Sequence, residues 1–152
     1  MGALGGRPGG DAPRSPPHGA GATVTLVDTS VWIEVFRRAR PLVLSTLVPF
    51  DDVVTCLPVI LEVLQGFPDE RAYRVAREAM LALPIVESPL PDQVVLEAVM
   101  LYRTSRRAGL TVRSSVDCLI AACALRNDLE VLHRDRDFVA IARVSQLRQR
   151  NV

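Results

Sequence analysis

The sequence predicts an α/β protein, a three-layer α/β/α sandwich around a central, mostly parallel sheet of four to five strands. Three observations lead there. Short apolar runs of strand length alternate with longer segments of helical period, and strands separated by helices indicate a parallel sheet covered on both faces. Segment 115–126 is apolar nearly all round, which suits a helix buried at the centre of a domain. Carboxylates also stand at the ends of apolar runs, where parallel sheets bind their ligands.

The elements follow in order. Residues 1–22 hold most of the glycines, several prolines and no apolar periodicity, the composition of a disordered tail. They lack the apolar centre of a signal peptide. Two origins stand open for this stretch, a genuine tail or a start codon assigned upstream of a true initiator such as Val24. The folded domain is expected over 23–152. Strand 24–28 leads into a helix at 30–38, and a helical piece near 41–48 precedes strand 52–56. Pro58 opens the next helix at a position where its missing N–H costs nothing. Asp69 caps a helix whose buried face is Ala72, Val75, Ala76, Ala79, Met80 and Leu83. A short strand at 83–86 follows. Pro91 and Asp92 start a long amphipathic helix with Val94, Val95, Ala98, Leu101 and Tyr102 inward and Glu97, Arg103, Arg106 and Arg107 outward. Gly109 stops it. After the 115–126 helix, Asn127 ends the turn, 130–132 forms the fourth strand, a helix covers 136–142, and a weak last strand is expected near 143–147.

Composition bounds the function. The chain has 152 residues, 49% of them apolar, and a mean hydropathy of +0.21, enough for one well-formed core. No apolar run approaches the ~20 residues of a membrane span, so no membrane partner is expected, and the cysteine usage suggests a cytoplasmic protein. The net charge of +1 does not advertise nucleic acid. All 18 basic residues are arginine, which excludes any mechanism that needs a lysine. Cys56, Cys118 and Cys123 form no CxxC pair and read as buried structural thiols of a reduced protein.

The acids carry the functional signal. Asp28 ends the apolar run Val24–Val27 and is followed by Thr29 and Ser30. A helix cap explains an oxygen there, but not an acid at the end of an apolar strand. Glu62 has apolar neighbours on every side in Val59–Leu64, which argues against a plain surface glutamate. Asp117 opens an apolar helix, where either a metal role or simple preference for the positive helix end, ~0.3–1 kcal/mol, accounts for it. Asp135 and Asp137 flank Arg136 after the fourth strand; a turn and cap explain one of them more easily than both. Isolated buried carboxylates cost several kcal/mol or become neutral unless a cation compensates. Hard oxygen ligands with no His or Cys cluster select Mg²⁺ or Mn²⁺.

The blocks Leu26-Val27-Asp28-Thr29-Ser30-Val31-Trp32-Ile33-Glu34, Glu62-Val63-Leu64-Gln65-Gly66, Ser115-Val116-Asp117-Cys118-Leu119-Ile120 and Leu132-His133-Arg134-Asp135-Arg136-Asp137-Phe138 resemble the PIN-domain family. Within it they are most similar to the VapC-type toxins of bacterial toxin–antitoxin modules. The resemblance covers 24 to about 145. It implies a PIN-like fold and a catalytic quartet of Asp28, Glu62, Asp117 and Asp135, with Asp28, Asp117, Asp135 and Asp137 as metal ligands. Ser30 falls on a supporting hydroxyl position. One departure is His133, where the family often carries Thr or Ser, and no catalytic part is carried over to it. The resemblance further implies a Mg²⁺- or Mn²⁺-dependent endoribonuclease leaving 5′-phosphate and 3′-hydroxyl ends, an RNA substrate, a cognate antitoxin and a homodimer. Arg113, in the loop nearest the acids, is the better candidate to hold RNA backbone, ahead of Arg103, Arg106 and Arg107, which read equally as a solvated helix face.

Rival readings fail on particular residues. A phosphoacceptor receiver domain needs a lysine. A haloacid-dehalogenase-type phosphatase wants Asp two residues after the first acid, and position 30 is Ser. An adhesion-type metal site of pattern Asp-x-Ser-x-Ser meets Trp32 at its last position. A non-catalytic PIN fold that binds RNA or a partner, and a solitary RNA-processing nuclease, stay open as alternatives.

Overall fold

The structure is a computed structural model describing residues 23–152, so the expected tail 1–22 lies outside the described residues. Five short strands form one wholly parallel sheet: β1 (Thr25–Val27), β2 (Val53–Cys56), β3 (Ile85–Val86), β4 (Glu130–His133) and β5 (Arg148–Asn151), in the order β3-β2-β1-β4-β5. Six helices connect and cover it: α1 (Thr29–Val35), α2 (Leu57–Gln65), α3 (Glu70–Leu81), α4 (Asp92–Arg107), α5 (Ser115–Arg126) and α6 (Arg136–Ala142). The expected α/β/α sandwich is the observed one.

Strand order determines where a ligand can sit. From β1 the chain builds outward through β2 and β3, then returns to lay β4 on the other side of β1. Leu26 faces Val54 on one flank and Val131 on the other. Between β1 and β4 the order therefore reverses, and parallel sheets bind their ligands past the carboxyl ends of the strands at such a point.

The central strands are short and apolar because both their faces are covered. Leu26, Val27, Val131, Leu132, Phe138 and Ile141 are completely buried, and each such side chain contributes roughly 1.5–3 kcal/mol. Trp32 is also buried, its indole N–H donating to the Val27 carbonyl at 3.1 Å, which ties α1 back to β1. Helix α5 carries Ala121, Ala122, Cys123 and Ala124 at zero exposure and packs against α2, α4, α6 and β4. All three cysteines are free and buried.

Local signals act as the sequence suggests in most places. Asp69 caps α3 by accepting from the Ala72 N–H at 2.8 Å. Gly109, at φ +72°, ends α4 with paired bonds from its own N–H to the Arg106 carbonyl and from the Leu110 N–H to the Ser105 carbonyl. That left-handed closure needs glycine.

Several expectations need correction. Over 41–48 only a single 3₁₀ turn forms, at Leu44–Thr46. The third strand is two residues, not four. The last strand is 148–151, not 143–147: 143–147 has the apolar residues, but the polar Arg148-Gln149-Arg150-Asn151 makes the ladder with β4. On α3 only Ala76 and Met80 are buried within the helix, while Val75 and Ala79 face solvent. On α4, Val95 and Tyr102 are exposed, so its buried stripe is narrower than the apolar pattern.

Candidate metal centre

Five acids come together past the carboxyl ends of β1 and β4. Asp28 directly follows β1, with its backbone N–H bonded to the Leu132 carbonyl of β4 at 2.9 Å. Glu62 projects from α2, Asp117 from the first turn of α5, and Asp135 and Asp137 from the start of α6. Their oxygens form two groups that share Asp117: Asp28, Glu62 and Asp117, and Asp117, Asp135 and Asp137. Within each group the candidate ligand atoms lie within 4.8 Å of one another.

Asp28 is both cap and site residue. Its Oδ2 accepts from the Ser30 backbone N–H at 2.9 Å and from the Ser30 hydroxyl. Its Oδ1 is buried and has no hydrogen-bond partner, and the side chain is only 2% exposed. Ser30 Oγ also accepts from the Arg134 N–H at 2.9 Å, so one hydroxyl joins the β1–α1 turn to the loop after β4. Asp117 is 6% exposed, and its Oδ2 is likewise buried and unpartnered. Its backbone N–H bonds to Ser114 Oγ, the cap of α5, at 3.3 Å.

Glu62 is half-buried. The Thr29 hydroxyl donates to its Oε2 at 2.8 Å. Thr29 was not singled out from sequence; its position beside Asp28 was visible, but a contact 33 residues away was not.

The second group is satisfied internally. Asp135 caps α6, its Oδ1 accepting from the Asp137 N–H at 2.9 Å and from Arg113 Nη2 at 2.8 Å. Asp137 is wholly buried, and its Oδ2 accepts the backbone N–H groups of Arg113 at 2.7 Å and Ser114 at 3.0 Å. Arg113 Nε adds a third donor to Asp137 Oδ1, at 3.2 Å. Thus Asp135 takes the cap, and Asp137 fastens the loop that enters α5. His133 is buried beneath them: its Nδ1 accepts the Asp135 N–H at 3.1 Å and its Nε2 meets Gln149 Oε1 at 2.6 Å. It serves as a structural imidazole, joining the loop after β4 to β5. Arg103, Arg106 and Arg107 lie exposed along α4.

Electrostatics reflect this division. Burial, then the charges of Asp28, Asp135, Asp137 and Glu62, push the Asp117 carboxyl up to about 8. Burial also raises Asp28, against the lowering effect of its Ser30 bonds. Glu62 is raised by burial and by the neighbouring charges of Asp28 and Asp135. Burial alone would raise Asp137, yet the N–H groups of Ser114 and Arg113 and the Arg113 guanidinium hold it below the usual carboxylate range. Three carboxyls raised by burial, Glu62 and Asp117 also by neighbouring charges, and two of the three with unpartnered buried oxygens, are the donor set of a hard divalent cation.

The sequence matches the PIN domain family over residues 25–144. This chain belongs to the PIN-domain family. Among characterised proteins, this PIN domain is 36% identical over 128 residues to Ribonuclease VapC11 of Mycobacterium tuberculosis, covering 80% of this chain and 94% of the relative. It is equally similar, by the same measures, to VapC ribonuclease Mb1587 of Mycobacterium bovis. Among solved structures, VapBC-5 of M. tuberculosis, a member of the VapBC family of toxin–antitoxin systems, superposes with a TM-score of 0.64 at 22% identity, over 85% of this chain and 99% of that one. The PIN fold with its clustered acids is thus closely related to VapC-type toxins and has the make-up of a metal-dependent nuclease centre. Among the described residues, no helix is long and apolar enough to cross a membrane.

Proposed function

We propose that this PIN domain is a Mg²⁺- or Mn²⁺-dependent endoribonuclease and the toxin of a toxin–antitoxin pair. The observation that carries the reading is the pair of buried, unpartnered oxygens, Asp28 Oδ1 and Asp117 Oδ2, on two of the three acids of one group. Left unpaired, such oxygens are costly; facing a divalent ion, they are ligands.

Asp28, Glu62 and Asp117 would hold the ion, which when bound supplies positive charge at the scissile phosphate and acidifies water there. The remaining work falls to side chains. Ser30 orients Asp28 through two hydrogen bonds. Thr29 holds Glu62 at the site, and as the least buried acid of the three it is the one placed to accept the proton of the attacking water. Asp135, the fourth acid of the family pattern, sits beside this group and fixes the half-exposed Arg113 at its rim, a preorganised cation for RNA backbone. Cleavage would leave 5′-phosphate and 3′-hydroxyl ends.

The partners follow from the same surface. An apolar groove of about 220 Å³ between α1 and α2, lined by Ile33, Phe36, Val63, Gly66 and Phe67, ends at Glu62. It suits an antitoxin segment that lays apolar side chains in the groove and an arginine on the acids. A second copy of the chain would find apolar surface on α4, where Val95, Val99, Met100 and Tyr102 are exposed.

The direct test is RNA cleavage by wild type and Asp28→Asn, each with Mg²⁺, Mn²⁺ or chelator. Wild type should cut only with metal and the variant not at all, although Asn still caps α1. Metal-dependent cleavage by the variant, purified free of wild-type protein, would overturn the assignment. Expression of wild type should slow bacterial growth, and the product of a small adjacent reading frame should restore it.

A further inference from the structure

The two acidic groups differ in how their oxygens are used, and the difference bears on how many cations the centre holds. A carboxylate oxygen has two lone pairs to offer. Asp137 Oδ2 is filled by the N–H groups of Arg113 and Ser114. Asp135 Oδ1 is filled by Arg113 Nη2 and the Asp137 N–H. Asp137 Oδ1 already has Arg113 Nε. In the other group, Asp28 Oδ1 and Asp117 Oδ2 are buried with no partner. Asp117 is common to both groups, so the buried acceptor left vacant on one side is Asp28 Oδ1, while on the other Arg113 and backbone N–H groups occupy both oxygens of Asp137 and the Oδ1 of Asp135.

Arg113 is what occupies them. Its guanidinium bridges both carboxylates, at 2.8 Å to Asp135 and 3.2 Å to Asp137, and its own backbone N–H anchors to Asp137. A planar, permanently charged fork across two carboxylates does there what a second divalent ion would otherwise do. A second cation would draw on Asp135 and Asp137, and the guanidinium already lies on both.

Building on the metal-dependent reading above, we propose that Arg113 is a built-in cation that holds Asp135 and Asp137 and limits the centre to one divalent ion, bound by Asp28, Glu62 and Asp117. The arginine is then a positioning and specificity residue: it sets metal stoichiometry through the acids it grips.

The experiment counts Mn²⁺ bound by the purified full-length protein, using electron paramagnetic resonance of free and bound Mn²⁺ without RNA. Wild type should bind one ion with the spectrum of an isolated Mn²⁺. Arg113→Met keeps side-chain length and the backbone bonds to Asp137 but removes the charge. It should bind two, doubling the count, with the exchange-coupled spectrum of neighbouring ions. Asp135→Asn, with Arg113 still in place on Asp137, should bind one ion as tightly as wild type. Two ions on wild type, or one on a folded Arg113→Met, would overturn the proposal while leaving the nuclease reading standing. Loss of Mn²⁺ affinity in Asp135→Asn matching that in Asp28→Asn would make Asp135 a ligand of the single ion and overturn it too, even if Arg113→Met failed to fold. No ion on wild type would remove the metal-dependent reading itself.

Discussion

Replacing Asp117 with asparagine should stabilise the metal-free protein at alkaline pH and do the reverse in acid. Asp117 is 6% exposed, its Oδ2 has no donor, and its carboxyl is raised from 3.8 to about 8. A carboxyl with a raised folded-state pKa binds more protons in the folded than in the unfolded chain between those two values. Its effect on stability is therefore nil below about pH 4, turns unfavourable as pH rises, and levels off above about pH 8. At about 1.4 kcal/mol per pKa unit, the ceiling is on the order of 5 kcal/mol. Asparagine gives up the first-turn charge, ~0.3–1 kcal/mol, and leaves a buried amide in a partly unsatisfied place, ~1–3 kcal/mol. The net expectation is a gain of ~1–3 kcal/mol over wild type at pH 8 and equal or lower stability at pH 4. Urea unfolding in chelator at pH 4, 6 and 8 reads this as two curves that cross. Parallel curves, or a variant weaker than wild type at pH 8, would refute the idea that Asp117 is held charged against burial and the neighbouring acids.

Three other outcomes are expected. Mg²⁺ or Mn²⁺ should raise the melting temperature of wild type, the added stability reaching ~2.7 kcal/mol at a hundredfold excess over Kd, with Asp28→Asn and Asp117→Asn responding far less in the same thermal scan. Thr29→Val removes the hydroxyl that holds Glu62 Oε2; RNA cleavage should fall sharply, Thr29→Ser should restore it, and circular dichroism should show the fold intact in both. Gly109→Ala forces a side chain into a left-handed φ of +72° with nothing within 4 Å of the new methyl, so it should cost ~1–2 kcal/mol in urea unfolding by backbone strain alone, leaving metal-dependent cleavage unchanged.

Much of the centre was legible in the sequence because charge in an apolar run is anomalous. Asp28 after Val27, Glu62 between Leu61 and Val63, and Asp117 at the head of an apolar helix each announced a cost that needed repayment. The grip of Arg113 on Asp135 and Asp137 was not legible. The sequence offered Arg113 as a contact for RNA backbone and Asp135 and Asp137 as turn, cap or metal ligands; a pairing across 22 and 24 residues appears only once the fold brings them together. Strand β5 was missed for a related reason. Its sequence is polar throughout, and it is held by its ladder to β4 and by Arg150, which donates to Glu130 and the Leu47 carbonyl. Val75 and Val95 misled in the other direction, because a helix at the surface carries apolar residues beyond the stripe it buries.

The hydrogen bond from the Arg134 N–H to the Ser30 hydroxyl closes a span of 104 residues, and β1 itself lies between strands drawn from opposite ends of the domain. A chain still emerging from the ribosome has Asp28 long before it has β4 to pair with. Synthesis runs at roughly 5–20 residues per second, so on the order of five to twenty seconds separate the first acid from the last. During that interval the acids have no common frame. A fragment released before Glu130 would lack the strand that supports Asp28, together with Asp135 and Asp137. The five acids therefore share one frame only after β4 and the start of α6 have docked.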